Sequence, residues 1–399
     1  MKSRNILFLS NGYAEDNIAC CIIKSLLEEY PFLRIAAVPF VGEGLAFKKL
    51  DIETLGPCKR TPSDGFINGN LFYFLKDLSA GWLRFYLKKV KALKVKRSKL
   101  HFVVCIGDIF LVLTSALFIK KPIIFFPTAK SDYIKEHYWI EKWLMKRYCK
   151  LVFARDKKTA LSLRSCGIHA VYAGNVMMDC LEITDEDFGI EKKYPVVGIV
   201  PGSKKEACEN LKVILDAAEE IFLQKKGKVI FLLALAPSLD VRSIVNVSLR
   251  EKDGWTLKNP TASEQEKGIV ANLICPQGTL VKVIQARFGD VVNLSRVVIG
   301  TAGMASEQAV GLGKPVVAFP GKGPQITKKF LRIQRKLLGG AVFMTRNEAK
   351  AVADKVIELL DDSRQLAKVA KIGKERMGEC GAAGRIAKII GKELSRFNG

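Results

Sequence analysis

Two short segments rich in small residues stand where apolar runs give way to helical patterns. GTAGMASEQ (300–308) follows RVVI, and PGSKKEA (201–207) follows VVGIV. Gly300, Thr301, Ala302 and Gly303 interpose little side chain, so the backbone N–H groups of a helix opening near Met304 can approach an anion closely. The helix dipole adds about 0.3–1 kcal/mol to that attraction. Glu307, one turn in, is placed to accept hydrogen bonds from ribose hydroxyls. These residues alone equally describe a capped helix with an acidic first turn. Neither segment is a Walker loop, and neither has GxGxxG spacing. In the second, Pro201, Gly202 and Ser203 turn the chain sharply, and Lys204 or Lys205 can reach a diphosphate. Two such loops at strand ends of one domain point to a nucleotide site.

Three carboxylates complete the set. Asp108 follows Gly107 inside the apolar stretch FVVCIGDIFLVLTSALFI (102–119), where burial raises a carboxyl pKa toward the range of a general base. It also suits the N-cap of the helix that follows. Glu15 and Asp16 lie just beyond the first strand.

The elements that must position these groups read as strand, loop, helix. ILFLS-NGYAED-NIACCIIKSLLEEY opens the first half, with Ile18, Cys21, Ile22, Ser25 and Leu26 on one helical face. VVGIV-PGSKKEAC-ENLKVILDAAEEIFL repeats the scheme, with Leu211, Ile214, Leu215, Ala218, Ile221 and Phe222 as the buried stripe. Further strands are expected at 35–40, 102–106, 122–127, 151–154 and 170–174, then at 228–235, 297–299, 316–320 and 341–344. The expected fold class is α/β: two Rossmann-like domains with parallel sheets and right-handed crossovers, facing across a cleft. The expected domains are 1–185 and 195–380, with LEITDEDFGIEKKY containing the linker 186–194 and a C-terminal helix at 381–399.

Length and charge bound the answer. The 399 residues exceed one ordinary core. With 64 Lys+Arg against 40 Asp+Glu, a net charge of +24 calls for polyanionic partners. The aromatic residues cluster in apolar helices rather than interleaving with basic ones, which argues against an RNA module and for no nucleic-acid partner. Ten cysteines without CxxC pairs and three histidines without ligand spacing predict reduced thiols and no metal site. The N-terminal run reads as a first strand rather than a signal peptide. Asp108 within 102–119 argues for a buried strand and helix rather than a membrane span.

The PGS-base-Glu loop, followed about a hundred residues later by a Gly-Thr-small-small-x-x-Glu helix start, resembles the donor domain of GT-B glycosyltransferases, nearest the lipid-A-disaccharide synthase group. VPFVGEGLAFKKL (38–50) is similar to that family's P-x-x-G-x-G-x-x-M segment. AGNVMMD (173–179) stands where the family has VGHPLxD at the domain junction, and GDIFLVLTSAL (107–117) where it carries a catalytic aspartate. The chain departs from the pattern at Lys204 (Arg in the family), at Asn175-Val176 (His-Pro) and in SNGYAED (AGEASGD), and 62–89 looks like a synthase-related branch. The resemblance implies a UDP-sugar substrate with no cofactor, the 381–399 helix crossing back to the first domain, and Gln325 of FPGKGPQ at the donor sugar. A metal-independent inverting transfer then needs a general base, for which Asp108 is the candidate with Asp16 and Glu15 behind it. It also needs a clamp on the leaving diphosphate, supplied by Gly300–Met304 and Lys204.

Residues 66–99 carry Phe72, Leu75, Leu78, Trp82, Phe85 and Tyr86 at helical spacing, then a dense basic run including Lys88 and Lys89. That pattern fits either a core helix with a solvated basic tail or an interfacial helix on anionic lipid. With the charge excess and a lipid or glycolipid acceptor, the second is expected. Phe72, Trp82, Phe85, Lys88 and Lys89 then face the cytoplasmic leaflet of a bacterial membrane, with the protein peripheral on it and room for a homo-oligomer. The competing readings are a UDP-sugar 2-epimerase of the same architecture and a catalytically impaired relative.

Overall fold

The computed structural model describes residues 4–58, 82–204, 206–244, 254–323 and 326–396; the side chains at 82, 83 and 243 are outside that description. The chain forms two compact units, Met1–Cys180 with Cys380–Gly399, and Leu181–Glu379.

The first unit is built on a seven-stranded sheet: β1 (Arg4–Ser10), β2 (Leu33–Pro39), β3 (Glu53–Thr54), β4 (Phe102–Gly107), β5 (Ile123–Pro127), β6 (Cys149–Phe153) and β7 (Ala170–Val171). Their order is β3-β2-β1-β4-β5-β6-β7, and every neighbouring pair is parallel. Helices cover both faces of such a sheet, so its strands are continuous apolar runs rather than alternating ones; β4 and β5 are buried at every residue. The register sets Ser10 opposite Ile106 and Gly107 opposite Pro127. The loops after β1, β4 and β5 therefore leave the sheet at the same edge, beside β1, where the strand order reverses. That is where ligands bind in open α/β sheets.

The stretch 102–119 divides as β4, the helix Ile109–Thr114 and a wide π turn Ser115–Ile119. Among the described residues no helix is long and apolar enough to cross a membrane. The helix Tyr13–Glu29 buries Ile18, Ile22 and Leu26 in one cluster with Ile386, Ile390 and Leu394 of the helix Ala382–Arg396. The start of that last helix is held by Asp179, whose carboxylate accepts the Ala383 amide at 2.6 Å and the Gly381 amide.

The second unit carries β8 (Val196–Val200), β9 (Ile230–Leu235), β10 (Thr256–Lys258), β11 (Ile269–Ile274), β12 (Leu280–Gln285), β13 (Val297–Gly300), β14 (Val316–Ala318) and β15 (Val342–Met344). The order is β10-β11-β12-β9-β8-β13-β14-β15. The expectation of wholly parallel sheets needs correction here, because β10–β11 and β11–β12 run antiparallel. A turn through Gly278, with φ of 88°, joins β11 to β12, and the Gly278 amide donates to Cys275 O at 3.0 Å. Parallel pairing resumes from β12 to β9. The segment expected as a linker packs on this unit: Phe188 is fully buried, and Asp290 accepts the Thr184 amide at 2.6 Å.

Candidate functional site

In the second unit the two small-residue loops leave adjacent strands. Gly300 at the end of β13 lies opposite Val200 at the end of β8. The Thr301 amide donates to Val200 O at 3.0 Å, and its hydroxyl donates to Pro201 O at 2.8 Å. Thr301 is therefore buried between the loops, acting as a tie. Gly202 has φ of 111°, which excludes an ordinary side chain, and its Cα faces Thr301 O.

The helix Met304–Gly311 opens at Gly303, and no side chain caps it. A first turn without a side-chain cap leaves backbone donors for a ligand. The opposite side of the turn is occupied: Ser306 Oγ donates to Ala302 O at 2.6 Å, and Gln334 Nε2 donates to Gly303 O at 2.7 Å. These bonds hold the carbonyls inward. Met304 is exposed, Ala302 and Glu307 are half-buried, and Ser203 and Lys204 are exposed beside the turn. Ser238 Oγ donates to Ser203 O at 2.8 Å. A third loop is pinned by Asn210, whose side chain exchanges hydrogen bonds with the Lys322 amide (2.9 Å) and carbonyl (3.0 Å). Gln325 and Lys205 lie outside the described residues.

In the first unit, Asp108 is the helix N-cap that its position also suited. Its carboxylate accepts the Phe110 amide at 3.0 Å as an N-cap, and it lines a hollow with Lys130, His137 and Glu141 over Ile109, Phe125 and Met145. Desolvation by the hollow raises its pKa above the ordinary carboxyl value; the Phe110 amide and the Asn11 side chain oppose the rise. One side of the residue stays open to solvent, which limits the effect.

Asp16 is fully buried in the first turn of its helix and accepts the Ser10 hydroxyl at 2.5 Å. Burial pushes its pKa up to about 7, with neighbouring Glu15 adding and Ser10 and Lys89 opposing. Glu15 accepts the Thr128 hydroxyl at 2.8 Å, and Arg155 donates to Thr128 O at 2.9 Å. Thr128 and Arg155 border a second hollow that shares Pro127 with the first.

The loop after β5 contributes a cluster that the residue patterns did not single out. Lys130 Nζ donates to both oxygens of Glu141 at 2.6 Å, the Tyr138 amide donates to Glu141 Oε2 at 3.0 Å, and His137 Nδ1 lies 3.3 Å from that oxygen. The available signal was the position of TAKSDYIKEH directly after a strand adjacent to β4. Gln334, Asn210 and Asn11 had no such signal, because long-range contacts alone give them their roles.

Lys89 requires a correction. It is fully buried, donates to Pro39 O, and sits 4.4 Å from the Phe85 ring and 5.2 Å from the Phe40 ring. Burial pushes its amine down to about 8. The helix Trp82–Lys96 turns Lys89, Val90 and Leu93 inward, so helical period overrides the run of charge. Lys88 is exposed and Phe85 half-buried; Phe72 and the Trp82 side chain lie outside the described residues. Among the described residues, an exposed aromatic surface lies on the helix Trp139–Tyr148: Trp139 is 77 % exposed and Trp143 51 %, with Tyr138 and Ile140 beside them and Lys135, Lys146 and Arg147 around them.

No protein-family model matches the chain. It is similar to the lipid-A-disaccharide synthase of Geobacter sulfurreducens, at 24 % identity over 58 % of this chain, and it spans 59 % of the length of that curated relative. Among solved structures it resembles the calicheamicin glycosyltransferase CalG4 (TM-score 0.65, 15 % identity, all of both chains). It also resembles MurG of Acinetobacter baumannii (0.59, 14 %, 98 % of this chain and 99 % of that one). A third likeness is the UDP-GlcNAc 2-epimerase of Neisseria meningitidis with UDP-GlcNAc bound (0.58, 16 %, 98 % and 100 %). The fold is GT-B.

Proposed function

We propose that this chain is a metal-independent inverting glycosyltransferase that moves a sugar from a UDP-sugar to a lipid or glycolipid acceptor at a membrane surface. The observation that carries the reading is the tie between Thr301 and Pro201, which sets the uncapped start of Met304–Gly311 beside the Pro201–Ser203 turn. Those amides and Lys204 would meet the charge of the leaving diphosphate, which develops as the glycosidic bond breaks. Glu307 would take the ribose hydroxyls and Gln325 the donor sugar. Asp108 would accept the proton of the acceptor hydroxyl as that oxygen attacks, with Asp16 and Glu15 as the next candidates; a raised pKa suits a base working near neutrality. The UDP-GlcNAc bound to the Neisseria epimerase supports a uridine donor.

The lipid side of the reading rests on the helix Trp139–Tyr148, whose exposed Trp139, Ile140 and Trp143 lie among basic residues in a protein of net charge +24. Aromatic side chains with lysines around them suit an anionic bilayer interface, and the protein would sit peripherally on the cytoplasmic face.

A UDP-sugar 2-epimerase is the second reading, favoured by the epimerase likeness and by the carboxylates Asp16 and Glu15. The two separate in one assay: UDP-GlcNAc with membrane lipid extract, followed for UDP release, glycolipid formation and the C2 epimer. Glycolipid with stoichiometric UDP is expected. Formation of the C2 epimer without glycolipid would overturn the transferase reading.

A further inference from the structure

The helix Lys328–Leu337 in the second unit carries charge that the fold does not explain. Lys328, Lys329, Arg332, Arg335 and Lys336 are exposed, while Leu331, Gln334 and Leu337 are buried. At about 100° per residue the five cations fall within about 120° of the helix circumference, along roughly 15 Å of its length. Arg332 stands one turn from each of the other four, at i±3 or i±4, where like charges repel. Lys328 and Lys329 occupy the first turn, which holds no acidic residue, and there the helix dipole opposes a cation. No Asp or Glu occurs between Glu307 and Glu348, a span with eight Lys and Arg, so the local sequence supplies no counter-charge. The nearby ion pairs, Lys322 with Glu209 and Arg346 with Glu348, leave the helix out. Among the described residues Lys328, Lys329, Arg332 and Arg335 make no ion pair.

We infer that this basic face is a docking surface for an anionic phospholipid bilayer, whose headgroup phosphates meet the five cations together and relieve their mutual repulsion. Leu331 and Leu337 are already buried in the unit, so the contact is electrostatic and needs no insertion of the helix. Ile333, at the border of the arc and 37 % exposed, adds an apolar contact. No aromatic side chain stands within the arc to stack a base, which sets the face apart from a groove for single-stranded nucleic acid. Gln334, on the opposite side of the same helix, donates to Gly303 O at 2.7 Å. Headgroups on the basic face therefore lie about one helix diameter, roughly 10 Å, from the opening of Met304–Gly311. This contact is additional to the Trp139 surface of the first unit, on which the membrane reading rests, and is independent of the transferase chemistry.

Flotation of the full chain with vesicles of phosphatidylcholine, alone or mixed with phosphatidylglycerol, tests the contact. The triple variant Lys328→Gln, Arg332→Gln, Arg335→Gln removes three charges that have no partner, so its melting temperature should match or exceed the parent's. Its partition onto the phosphatidylglycerol vesicles should fall about fivefold per charge, roughly a hundredfold in all. On phosphatidylcholine alone, parent and variant should behave alike. The charge-preserving pair Arg332→Lys, Arg335→Lys should bind like the parent, and added NaCl should weaken parental binding more steeply than the triple variant's. Equal partition of parent and triple variant onto the anionic vesicles would overturn the docking surface. Tighter parental binding to an oligouridylate than to the vesicles, at equal accessible phosphate, would make the partner a nucleic acid and overturn it as well. UDP calorimetry on the same samples should give one affinity for parent and variant, because Gln334 is untouched. Failure of UDP to bind either would count against the transferase and leave the vesicle result to stand on its own.

Discussion

The Thr301 hydroxyl donates to the Pro201 carbonyl across 2.8 Å, so the loops leaving β13 and β8 behave as one piece. Thr301→Val keeps the shape and removes the donor, leaving a buried carbonyl unpaired at a cost of about 1–3 kcal/mol. Both the melting temperature and the UDP affinity should fall, and Thr301→Ser should restore much of each.

Gln334→Leu tests the restraint from behind the cradle. Losing the 2.7 Å bond to Gly303 O frees that carbonyl to turn outward. The donor KM should rise about tenfold, the value of a buried hydrogen bond, with the acceptor KM unchanged. A change in both would make Gln334 a general stabiliser instead.

Asp108→Asn preserves an acceptor for the Phe110 amide, so the helix that begins there should stay intact. The side chain can no longer take a proton, and kcat should drop on the order of 10²–10⁴-fold while UDP affinity holds. Steady-state kinetics beside calorimetry decide it; unchanged kcat removes Asp108 as the base.

Asp16 predicts a pH dependence of stability. Its folded pKa of about 7 exceeds the ordinary 3.8, so the folded state holds a proton that the unfolded chain has released. This contribution is present in full below about pH 4 and is lost as pH rises to about 7, after which it is flat; three units set an upper bound of about 4 kcal/mol. Asp16→Asn should therefore gain stability relative to the parent between pH 4.5 and pH 8 in urea melts. A parallel offset at both pH values would contradict it.

Vesicle flotation tests the proposed membrane contact and separates two helices. Trp139→Ser with Trp143→Ser should lower flotation with anionic vesicles by about tenfold or more, given the apolar area removed. Lys89→Met, an apolar replacement for a buried amine, should leave flotation unchanged. Loss of vesicle binding in Lys89→Met alone would return the contact to the Trp82–Lys96 helix.

The amino-acid sequence carried the period-based features well. Apolar runs marked the strands of both sheets except β3, a two-residue strand, and β10, β11 and β12, whose partly exposed, turn-linked pattern lacks the runs of the buried parallel strands. Lys89 shows the same limit from the other side: a dense basic run reads as a solvated face until the helix phase turns one of its members inward against Phe40 and Phe85.

By itself the sequence determined the alternation of strand and helix, the small residues at the ends of β8 and β13, and the acidic residue after β4. Each of these is local, set by side-chain size, polarity and spacing along a few turns or residues. The tertiary structure decided what those residues do. It brought Thr301 to Pro201, Gln334 to Gly303, Asn11 to Asp108, and the loop after β5 to the same hollow. A hydrogen bond across a hundred residues has no signature in either segment, because its geometry exists only once the sheet has aligned their ends.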